Sequence, residues 1–214
     1  MKARRICFIV CIMSILTLYL PLLVFAEDGV KDVPSQASVT VKIEDPETKR
    51  VMEWDIPMRD LKLHRETQVK AGDDKDEAII SQSADVDLTP YIKESLEKGT
   101  VSGHATLKDN ITITTGLTYS TKVSNNTVRL YKVFGSTKNK GNYYASNRKV
   151  YYSNPGAYGT KTFTPSKNPW NVSVNSKAGQ YISSLPPFST LQCRVNISGM
   201  TAYRTIYVTF KLEL

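Results

Sequence analysis

Residues 111 to 123 alternate without a break. Ile111, Ile113, Thr115, Leu117, Tyr119, Thr121 and Val123 fall on one side; Thr112, Thr114, Gly116, Thr118, Ser120 and Lys122 fall on the other. A period of two over such a length describes a strand with one buried and one wet face, and excludes an amphipathic helix. Residues 107–111 precede it as a tight turn, with Asp109 and Asn110 tolerating left-handed backbone. Ser124-Asn125-Asn126 then reverses the chain into residues 127–133, so the pattern predicts a long antiparallel hairpin.

The same period recurs on both sides of this hairpin. Val39, Val41 and Ile43 alternate with polar residues, Asp45-Pro46-Glu47-Thr48 makes a turn, and Met52, Trp54 and Ile56 resume the rhythm. Residues 39–56 therefore read as a second hairpin, and Leu61 and Leu63 continue it weakly. Further strands are expected at 101–107, 148–152, 160–163, 170–174, 191–197 and 205–214. One helix interrupts them. Thr89 serves as its N-cap, Pro90 fits the first turn, Tyr91, Ile92 and Leu96 supply an apolar side, and Gly99 follows the last turn. Many short alternating strands with Gly, Pro and Asn turns predict an all-β fold. The first choice is an antiparallel β-sandwich of immunoglobulin-like architecture with one short helix, although the Cys…Trp…Cys signature of antibody domains is missing. A closed barrel is the second.

The N-terminus sets the compartment. Lys2, Arg4 and Arg5 precede an apolar run over residues 6–25, and Val24 and Ala26 are small residues at −3 and −1 of a cleavage point. Residues 1–26 read as a signal peptide, residues 27–37 as a flexible leader, and the mature protein as secreted or extracellular, with the cell wall as a natural place of residence. Retention of the run as a membrane anchor is the rival reading, opposed by Pro21 and the cleavage residues. Cys193 alone remains after cleavage, so no intramolecular disulfide can form. An exported chain held by its core without such staples suits a Gram-positive bacterium. The sequons at Asn110, Asn125, Asn171 and Asn196 are expected by chance in a chain this rich in Asn, Ser and Thr.

Charge divides the mature chain into an acidic region, 38–100, and a basic sandwich domain, 101–214. Residues 27–100 carry 18 acidic and 11 basic side chains, whereas 101–214 carry 2 and 14. The asymmetry implies either two functional regions or an acidic segment packed on a basic one, and the sequence leaves open whether 38–100 is a unit of its own.

Catalysis finds few candidates. His104 falls on the polar side of its strand and His64 lies in a charged stretch; Cys193 alternates with Leu191 and Val195, which buries it as a small apolar residue. The basic domain offers only Asp109 and Glu213 to a hydrolase, which needs two facing carboxylates. Zinc lacks cysteines and paired histidines, and the acidic stretch at Asp73, Asp74, Asp76 and Glu77 lacks calcium-loop spacing. No catalytic residue, metal or cofactor is assigned. What remains is a surface. Residues 138–158 hold four cations (Lys138, Lys140, Arg148 and Lys149), five tyrosines (Tyr143, Tyr144, Tyr151, Tyr152 and Tyr158) and no acid. Tyrosine rings offer flat contact with a hydroxyl handle, and the cations suit phosphate or uronate. Against this, paired tyrosines on a strand place one ring inside.

These features describe a secreted, non-catalytic binding or structural module that meets an anionic polymer, such as teichoic acid or an acidic polysaccharide of the cell envelope or matrix. Two alternatives come from other classes. One is a membrane-active, pore-forming protein, whose strands at 111–123 and 205–214 are long enough for a lipid-facing hairpin. The other is a hydrolase using carboxylates of the acidic region.

Overall fold

The computed structural model describes residues 36–69, 78–97, 110–122, 125–174, 176–198 and 203–214. In chain order the strands are β1 (Gln36–Glu44), β2 (Val51–Ile56), β3 (Lys62–Val69), β4 (Ala78–Asp87), β5 (Ile111–Lys122) and β6 (Thr127–Asn139). There follow β7 (Tyr143–Asn154), β8 (Tyr158–Phe163), β9 (Trp170–Ser173), β10 (Gly179–Gln180), β11 (Phe188–Ile197) and β12 (Tyr203–Glu213). A helix, α1 (Thr89–Glu97), joins β4 to the segment before β5. The signal peptide, most of the leader, the acidic stretch 73–77, the helix end at Lys98-Gly99, the strand 101–107 with His104, and Asp109 lie outside the described residues.

The strands form two antiparallel sheets. Sheet 1 runs β2-β1-β12-β11-β7-β8; sheet 2 runs β10-β6-β5-β4-β3, with β9 also paired to β6. The fold is an all-β sandwich. It is not the barrel of the second choice, because β2 and β8 remain free edges of sheet 1 and β3 of sheet 2. The two antiparallel sheets pack over one core.

The long alternation is β5, the middle strand of sheet 2. Ile113, Leu117 and Tyr119 of its inner face are fully buried against the inner faces of β11 and β12, where Leu191, Cys193, Val208 and Phe210 are equally buried. Each large apolar side chain so buried contributes roughly 1.5–3 kcal/mol. A cross-sheet bond between Thr115 and Ser189 hydroxyls, 3.2 Å, sits inside this layer. The hairpin keeps its pairing from Ile111↔Asn139 to Lys122↔Thr127, with one slip where Tyr131 is the extra residue.

The acidic region contributes to both sheets. β1 pairs with β12 over its full length, from Gln36↔Glu213 to Glu44↔Thr205, and β4 pairs with β5 from Ile79↔Ser120 to Asp87↔Thr112. Residues 33–214 form one compact unit, so no boundary between bodies falls at residue 100. The helix begins one residue earlier than expected, with Thr89 already its first residue rather than its cap. Ile92 N–H donates to the Leu88 carbonyl, which puts Leu88 at the capping position, and Asp87 Oδ1 takes both the N–H and the hydroxyl of Thr89 (2.9 and 2.6 Å). Ile92 and Ser95 face inward, and Trp54 of β2 packs on Tyr91 while donating to Glu94 at 3.2 Å. The helix thereby closes the end of the sandwich beside β2.

Candidate functional site

The basic tyrosine-rich stretch is the β6–β7–β8 segment, and strand phase splits it among three places. Tyr143 and Tyr152 turn inward, 2% and 9% exposed. Tyr158 is half-buried, meets Tyr152 edge to face, and its hydroxyl is pushed up by burial. Arg148 is also directed inward. The register between β7 and β11 slips so that Asn147 and Arg148 both oppose Cys193, Asn147 adopts φ 49°, and Arg148 Nη1 reaches Thr137 Oγ1 between the sheets at 3.4 Å. Lys138 and Lys140 are exposed at the end of β6, on sheet 2. Tyr144, Lys149 and Tyr151 stay together on the outer face of sheet 1. The nine candidates therefore do not make one surface; three of them do.

Those three are joined by residues from neighbouring strands. One transverse row places Tyr144 opposite Asn196 and Asn196 opposite Tyr203; another runs Lys149, Gln192, Tyr207, Lys42. Tyr144 is 66% exposed at the end of its row. Lys149 Nζ lies 5.2 Å from the Tyr151 ring centroid, and the Arg194 guanidinium 4.5 Å from that of Tyr203. Tyr151 donates to Gln192 Oε1 at 2.6 Å. Gln192, Arg194 and Tyr207 belong to the polar phases of strands legible in the sequence; what the sequence does not give is that β11 and β12 follow β7 across one sheet.

Towards β1 the face changes sign. Glu44 bonds Lys42 at 2.7 Å and accepts from Tyr207 at 3.1 Å. The Lys42 contact is the main reason the Glu44 carboxyl lies below its ordinary value, with burial opposing it and Tyr207 adding to it. Burial, followed by the bond to Glu44, pushes the Tyr207 hydroxyl up to about 12, so it stays a donor. Glu53 and Asp55 on β2 extend the acidic side, Asp55 accepting from Thr40 at 2.9 Å.

The outer face of sheet 2 carries a groove of about 440 Å³. One row crosses it from His64 through Ser83, Gly116 and Phe134 to Asn171. Gly116 lies mid-row, and a Cβ there would run into Ser83 and the Gln82 carbonyl. His64 Nε2 lies 3.1 Å from Asp85 Oδ2, Thr114 donates to Asp85 Oδ1 at 2.7 Å, and Ser136 donates to Thr114 at 3.3 Å. Burial pushes the Asp85 carboxyl up, but the Thr114 and His64 bonds and the charges of His64 and Lys138 bring it below its usual value. Lys138 thus serves this face rather than the tyrosine face. Glu66 on β3 is four residues from Lys62, the partner of Asp85, about 13 Å of strand.

Burial pushes the Cys193 thiol up to about 12, with the Arg148 charge opposing. Among the described residues, no group of three or more His, Cys, Asp or Glu could hold a metal ion, and no helix is long and apolar enough to cross a membrane. No protein family, curated protein or solved structure matches this chain.

Proposed function

We propose that this chain is an exported, non-catalytic binding module that holds an anionic polymer of the cell envelope or matrix, teichoic acid or an acidic polysaccharide, on the outer face of sheet 1. The observation that carries the reading is the Tyr144–Lys149–Tyr151–Arg194–Tyr203 cluster across β7, β11 and β12, in which each of two cations lies over a tyrosine ring. Lys149 opposes Gln192, two residues along β11 from Arg194, so the two cations stand on neighbouring strands of one face. Cations so placed suit anionic groups along a polymer chain, while rings beside them accept the apolar faces of its sugar or polyol units. The acidic side at Glu44, Glu53 and Asp55 confines the footprint to the part of the face away from β1 and β2.

Affinity for a purified glycerol-phosphate teichoic acid, measured by titration calorimetry on the chain from Glu27, tests this. Binding is expected to weaken steeply as salt shortens the screening length, about 8 Å at physiological strength. Lys149→Ser with Arg194→Ser should weaken it at least tenfold, and Lys167→Ser with Lys177→Ser, exposed cations elsewhere, should change it little. Equal losses from both pairs, or binding indifferent to salt, would refute the reading.

A further inference from the structure

We infer that the groove on the outer face of sheet 2 is a second binding site, and that its ligand is a neutral glycan. The site lies on the opposite side of the sandwich from the tyrosine face and does not depend on the proposal made for that face.

Hydrogen bonds link the polar side chains along the groove. Asp85 collects donors from Thr114 and from His64, and Thr114 in turn collects the Ser136 hydroxyl. Ser81 and Thr118 share one proton across the groove at 3.0 Å. Each hydroxyl has one proton and two lone pairs, so the sideways bonds use the Thr114 and Ser136 protons and leave lone pairs towards solvent, while the acceptor of the Ser81–Thr118 pair keeps its proton. A surface of hydroxyl lone pairs is complementary to a ligand rich in O–H donors.

Charge favours the same ligand. Glu66 and Lys132 stand on either side of the floor in one transverse row, Glu66–Ser81–Thr118–Lys132, which continues to Ser173 of β9. Their charges oppose each other, and His64 lies against Asp85. The walls offer no surplus of either sign to an ion, in contrast to the Lys149–Arg194 cluster. Shape fits as well. Small residues and Gly116 keep the middle of the floor low, and Phe134, half-buried and outside the core, provides a ring against which the C–H face of a sugar can lie. A volume of about 440 Å³ lies within the range of small-molecule sites.

The test titrates cellohexaose, xylohexaose, maltohexaose and chitohexaose into isotopically labelled protein spanning Glu27–Leu214 and follows backbone amide shifts. At least one should bind with a dissociation constant below about 1 mM. Its shifts should centre on Ser83, Gly116, Thr118 and Phe134, and raising the salt should leave affinity unchanged because the ligand is neutral. Phe134→Ala should abolish binding. Because that change can also disturb the sheet, the isosteric Thr114→Val is the second variant: it should cost about five- to tenfold in affinity with an unchanged fold. Lys149→Ser with Arg194→Ser should leave glycan binding intact. No saturable binding by any of the four sugars, or shifts confined to the β7–β11 face, would overturn the inference.

Discussion

Cys193 shows how far a single residue can be read. Its alternation with Leu191 and Val195 predicts burial, and it is fully buried with its thiol pushed up to about 12. We expect a thiol reagent to leave the native protein unlabelled at neutral pH and to react on unfolding; fast native labelling would contradict this. Cys193→Ser should cost about 1–3 kcal/mol in a denaturant titration. Arg204 is legible in the sequence only as one of many bases. It is 2% exposed, Nη2 stands 3.2 Å from Asp45 Oδ2, and neither Nε nor Nη2 has a hydrogen-bond partner among the described residues, so the pairing is mainly Coulombic. Burial pushes the Asp45 carboxyl up, but the N–H groups of Glu47 and Thr48, the Thr48 hydroxyl and Arg204 hold it below its ordinary 3.8. A folded value below the unfolded one means the stabilisation is whole above pH 3.8 and is lost as pH falls through the folded value. Asp45→Asn should therefore destabilise at pH 7, on the order of 3 kcal/mol, and the difference from the parent protein should shrink as the pH falls through that range. A difference that persists undiminished at low pH would contradict this.

At the scale of elements, strands with an unbroken apolar phase are legible nearly to their ends, and the others in part, as at 148–152, 160–163 and 170–174, or not at all. β5, β11 and β12 can be read nearly to their ends, whereas β4 gives no such signal. Its inner face includes Gln82, bonded to the Tyr119 hydroxyl at 3.0 Å, and its outer face is Ser81, Ser83 and Asp85, so neither alternation nor hydropathy marks it. The groove depends on that strand and is unreadable with it. The tyrosine face is partly legible, because phase separates Tyr151 from Tyr152; the bulge that turns Arg148 inward leaves no mark in composition. Another element joins by backbone alone. β10 lies so close to the β7–β8 turn that a Cβ on Gly156 would strike the Gln180 carbonyl, whereas Gly159 has open space around its Cβ direction. Gly156→Ala should lower stability by about 1–3 kcal/mol and Gly159→Ala should be near neutral, read from melting curves. Equal effects would mean that the turn and β10 are not in contact.

For the whole molecule, the division by charge proves to be one of composition and not of folding. Residues 101–214 taken alone lack β1, which pairs the whole of β12, and β4, which pairs β5. That fragment should be unfolded by circular dichroism and amide dispersion, so polymer binding must be compared in the intact chain. The acidic strands also place Glu53 on the face that carries Lys149, and Glu53→Gln should tighten polyanion binding modestly at low salt while leaving the melting temperature unchanged. Opposite faces of one sandwich are predicted to differ in chemistry, with the anionic polymer taken by sheet 1. Amide shift mapping of the intact mature chain with glycerol-phosphate teichoic acid tests this most directly. Shifts are predicted at Tyr144, Lys149, Tyr151, Gln192 and Arg194 that collapse as salt is added, with Gly116 and Phe134 unmoved; shifts centred on the groove, or spread over Lys167, Lys177 and other outlying cations, would contradict it.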